Sequence, residues 1–127
     1  MSWWSIRIDP LPLPQRLIPR PSDRSGGAGP AYQLWLPLIP DGRIYLPLFQ
    51  AEPARARIIG LPPAGGGPCG RIELRDHQWF CTWPPGGGSG QTDLRIIGSR
   101  FVPGEIIGLR PVRGVIVLYR VVECSPS

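Results

Sequence analysis

A chain of 127 residues and 14.0 kDa holds one domain, and its 17 glycines and 18 prolines exclude a fold built on long helices. The formal charge of +5 rests on arginine alone; the absence of lysine excludes a Walker-type phosphate loop, and the surplus charge suits an acidic partner. No apolar run nears the ~18 residues of a membrane-spanning helix. No signal-peptide pattern opens the sequence either, so a cytoplasmic setting, or a particle assembled there, is expected.

Residues 1–30 read as a Pro-rich arm and spacer preceding the domain. Trp3, Ile6 and Ile8 read as a short strand within the arm, and Pro10, Pro12 and Pro14, then Pro19 and Pro21, hold the backbone extended. Residues 22–29 are a spacer by composition. Trp3, Trp4, Leu11 and Leu13 are costly to leave in water, so the arm is expected to dock on a neighbouring subunit through them.

The domain itself is expected over residues 31–124, with a tail at 125–127. Residues 32–39 and 43–49 flank Pro40, Asp41 and Gly42, a turn in which Pro presets φ, Asp bonds its own backbone and Gly accepts positive φ. This predicts a hairpin whose strands are edge-like or bulged at Pro37 and Pro47. A strand at 55–60 follows, then the Gly-rich loop 62–70. Residues 71–75 and 78–83 pair through Asp76 and His77, because Ile72 and Leu74 alternate with Arg71, Glu73 and Arg75. After a second Gly-rich loop at 84–90, strands are expected at 93–98, 104–109 and 114–122. The last is apolar on both faces and reads as the centre of a sheet. The fold class is therefore all-β, a small barrel or sandwich of roughly seven to nine short strands.

Chemistry-bearing constellations are sparse, and neither metal, cofactor nor catalytic residues are expected. His77 and Cys81 have zinc-like spacing, but on a strand they stand about 13 Å apart. Cys69 and Cys124 have no close partner, and three cysteines without a leader sequence suit free thiols packed as small apolar groups. The glycines at 65–70 match a dinucleotide fingerprint only formally, because Pro68 and a β-like segment follow where a helix is required.

Two functional readings remain. The first is a non-enzymatic structural or assembly protein, of the kind found in a viral or phage particle, docking on protein subunits (its own copies or others) through its arm and edge strands. The second is a barrel that binds single-stranded nucleic acid through Arg71, Arg75, Trp79, Phe80, Trp83 and Arg95, an aromatic and cationic set suited to stacking and phosphate neutralisation. Trp79 and Trp83 share one face of a strand. They are a platform if that face is outside and core if it is inside.

Overall fold

The computed structural model describes residues 2–11, 31–61, 69–83, 93–111 and 114–127. Its strands close into an eight-stranded antiparallel barrel, each pairing with its neighbours in sequence and the last with the first. They are β1 (Ser2–Pro10), β2 (Ala31–Leu38), β3 (Arg57–Leu61), β4 (Cys69–Arg75), β5 (Gln78–Thr82), β6 (Leu94–Ile97), β7 (Ile106–Pro111) and β8 (Val117–Pro126). The expectation of a small all-β barrel holds. Leu13, the spacer 22–29 and most of the two Gly-rich loops lie outside the described residues.

Three local expectations are corrected. Residues 2–10 are not an arm: β1 pairs with β2 from Ser2↔Leu38 to Ile8↔Tyr32, and with β8 from Trp4↔Pro126 to Pro10↔Tyr119. The barrel thus begins at β1 rather than at residue 31, and Ser125 and Pro126 belong to its last strand rather than to a tail. The hairpin beyond Gly42 shrinks to one bridge, Leu38↔Ile44, after which the chain turns into the short helix α1 (Leu46–Ala51). Pro47 fits there because an amide hydrogen in a helix's first turn has no intrahelical partner to lose. Finally, closure removes free edges from the sheet. Pro37 is tolerated because β3 stops pairing with β2 at Trp35↔Arg57, so no β3 carbonyl awaits its missing N–H.

An eight-stranded barrel is just wide enough for its side chains to fill it, and these do. Ile6, Ile8, Leu34, Leu36, Ile58, Ile72, Cys81, Ile107, Leu109 and Val121 are buried within one apolar cluster. At one end, Phe49 of α1 meets Trp79 of β5 edge-on at 4.8 Å, so the helix plugs the barrel across its width. At the other end, Tyr32 and Tyr119 pack at 5.7 Å and Trp83 lies 6.4 Å from Tyr32.

Two local backbone features shape this frame. Asp76 and His77 both have positive φ (49° and 63°) and close the two-residue β4–β5 turn without any glycine. Gly70, facing inward opposite Ile58, leaves the space that the Trp83 ring occupies. A Cβ on Gly70 would run into the Thr82 carbonyl oxygen and come 2.7 Å from the Trp83 ring. Gly70→Ala is therefore expected to cost about 1–3 kcal/mol, read as a lower urea midpoint at unchanged slope. An unchanged midpoint would refute this close packing.

Candidate interaction surfaces

The residues nominated from sequence scatter over three environments. Trp3 is buried on the outer side of β1, with the Arg55 guanidinium 4.9 Å from its ring. Trp4 is half-buried and lines an apolar hollow of about 240 Å³ with Leu38, Pro40, Phe101 and Pro103. Leu11 extends the β1–β8 pairing, its amide donating to the Leu118 carbonyl at 3.0 Å. The tryptophans and Leu11 are thus parts of the barrel.

Of the nucleic-acid set, Trp79 and Trp83 pack against the core cluster and form no outer platform. Phe80 points outward between Glu73 and Arg95, its cross-strand partners. Arg75 lies 5.2 Å from the Phe80 ring, held by Glu73 at 3.1 Å and Asp93 at 3.3 Å. Arg71 stands outward opposite Arg57. The structure therefore brings Arg75, Phe80 and Arg95 together and leaves Arg71 one pairing row away.

Two outer features were missed in the sequence. One is apolar: Ile106, Val115, Ile116, Leu118 and Val122 are all exposed on or beside β7 and β8. Ile116 lies against Gly108, which pairs with both Ile97 and Leu118, so these residues adjoin one another. A register shift where Arg7 pairs with Glu123 but Ile8 with Val121 leaves Val122 unpaired and turned outward beside Glu123. The signal was present in the two-sided apolarity of residues 115–119, which a centre-of-sheet reading absorbed. β8 does bury Tyr119 and Val121, but its outer face is bare. The other feature is cationic: Arg57 pairs with Arg71 and Arg95 with Arg110. Finding those pairs required strand register, which composition does not carry.

The ionisable interior offers little catalytic chemistry. Burial, with a smaller contribution from Asp93, pushes the Cys81 thiol from 9.0 up to about 12, far from thiolate reactivity at neutral pH. Burial likewise raises Tyr119 and Tyr32, whose hydroxyls hydrogen-bond one another, and also raises Cys124, whose Sγ donates to the Phe101 carbonyl at 3.2 Å. His77 is exposed in the β4–β5 turn while Cys81 points into the barrel. Among the described residues no three His, Cys, Asp or Glu side chains gather as a metal site. No described helix is long and apolar enough to cross a membrane. Compared with known proteins, the chain matches no family model, no curated protein and no solved structure.

Proposed function

We propose that this barrel is a non-enzymatic assembly module that docks on a protein neighbour through the outer face of β7 and β8. The observation that carries the reading is the bareness of that face. Large apolar side chains scattered singly are ordinary, but adjoining ones at the surface mark an interaction site. Ile106, Leu118 and Val122 are each more than 40% exposed, and Val115 is 81% exposed. Docking through a face replaces the arm and edge strands as the mode of contact, since β1 is built into the barrel and the barrel is closed.

The occupant that fits is a second copy of the chain. A two-fold interface must be self-complementary, and the patch carries both signs of charge, Arg120 within it opposite Ile106 and Glu123 at its edge. Arg120 on β8 and Glu123 beyond Val122 are exposed, and neither forms an ion pair among the described residues. Size-exclusion chromatography with light scattering is expected to show a dimer or larger discrete oligomer. Leu118→Glu with Val122→Glu should yield a monomer of unchanged circular dichroism, because both side chains point away from the core. A wild-type protein that stays monomeric at its highest soluble concentration would overturn self-docking.

A further inference from the structure

We infer that the outer surface running from β3 to β7 binds the backbone of single-stranded nucleic acid through Arg57, Arg71, Arg95 and Arg110. This strip meets the apolar face at β7, where Arg110 lines a hollow with Ile97 and Ile116; Arg57, Arg71 and Arg95 lie on β3, β4 and β6, away from the proposed docking face.

Directly opposed residues on antiparallel strands bring their Cβ atoms about 4.5–5.5 Å apart, and like charges there repel. This barrel has two such pairs, Arg57↔Arg71 and Arg95↔Arg110. Five of the six other described arginines, all but Arg120, show that the surface can neutralise a guanidinium. Arg7, Arg43, Arg55, Arg75 and Arg100 each pair with a carboxylate at 3.0–3.5 Å. The four of the strip have no carboxylate partner among the described residues. Arg57 instead leans on the Trp35 ring at 4.6 Å, which keeps it outward with its charge intact. Glu73 and Asp93, two residues from Arg71 and Arg95 in sequence, are both engaged by Arg75.

Opposed cations without counter-charge are most readily balanced by an anion that bridges them, and a guanidinium fork matches a phosphate bidentately. The two pairs sit on β3–β4 and β6–β7, so the strip follows an arc of four of the barrel's eight inter-strand steps, roughly 19 Å along its surface. That length suits a chain of phosphates rather than one small ion. A hollow of about 320 Å³ between Gln78, Phe80, Arg95, Arg110 and Pro111 distinguishes the nucleic-acid form of polyanion from an acidic peptide. It offers a ring wall, an amide and two guanidinium groups to one unstacked base, which a single strand presents and a duplex does not. Trp79 and Trp83 have no part in it.

The test uses fluorescence anisotropy of a labelled oligothymidine titrated with the whole protein over a range of salt concentrations. Wild type is expected to bind with a log–log salt slope of about −2.8, corresponding to four phosphate contacts on a single strand. Arg95→Gln with Arg110→Gln should shrink that slope by about 1.4. A control, Arg7→Gln with Arg43→Gln, makes the same change in net charge at ion-paired positions and should leave the slope unchanged. Absence of binding by wild type would overturn the proposal, as would an equal loss in the control, which would show only general cationic attraction. Displacement of the oligonucleotide by an equal charge of polyglutamate would also overturn it, assigning the strip to acidic protein. Circular dichroism of each variant verifies the fold, which these outward side chains do not build.

Discussion

Trp83→Ala is expected to lower stability by about 3–5 kcal/mol, a large share of the ~5–15 kcal/mol that holds a domain of this kind together. The indole occupies the space left by Gly70 and stands 6.4 Å from Tyr32, so truncation opens a void inside a closed barrel. Barrel walls tied by pairing on both sides collapse poorly around such a void. Trp79→Ala should behave alike, since it removes the ring against which Phe49 seals the opposite end. Phe80→Ala, by contrast, strips an outward ring and is expected to change stability by no more than about 1 kcal/mol. Urea unfolding of the three variants checks all of this. A Trp83→Ala protein with the wild-type midpoint would refute its core role and return it to the surface.

The second large effect is alkaline destabilisation. Cys81 is held neutral by burial, its pKa rising from 9.0 to about 12, and Tyr119 and Tyr32 move in the same direction. The folded state therefore keeps these protons where the unfolded chain has released them, so unfolding frees protons and stability falls as pH rises. The stabilisation associated with the Cys81 proton is whole below pH 9 and is lost between pH 9 and about pH 12. It corresponds to about 4 kcal/mol across that interval. Thermal melting followed from pH 8 upward should show Tm declining beyond pH 9. Cys81→Ala should flatten the first part of the decline, leaving the part due to the tyrosines. A Tm independent of pH across that range would mean that the thiol and phenols are reached by water.

How far these features could be read in advance depended on whether their causes were local. The β4–β5 hairpin was legible because Ile72 and Leu74 alternate with charged residues in the longest segment free of glycine and proline. The all-β class followed from how those two residues punctuate the rest. β1 was legible as a strand but was placed in a separate arm, because prolines follow Ile8 closely and the partners that build it into the barrel, β2 and β8, are distant in sequence. Pro47 was read as interrupting a strand because nothing within its own segment distinguishes that role from the first turn of a helix. The fate of Trp79 and Trp83 hung on one binary choice, the inward face of β5. It was made by Phe49 and Gly70, whose proximity only the folded chain supplies. The opposed arginines are the extreme case. Each looks unremarkable among its sequence neighbours, and the charge repulsion exists only once four strands have taken their register.

The seam between β1 and β8 also governs when the molecule can exist at all. Trp4 pairs with Pro126 and the Ser127 amide donates to the Trp3 carbonyl, so the first strand made waits for the last. Such pairing across almost the whole chain gives the barrel a high contact order and predicts slow folding, with closure as its final event. During synthesis β1 leaves the ribosome with one side unpaired until residues 117–126 follow. Its two tryptophans then face the solvent or a chaperone.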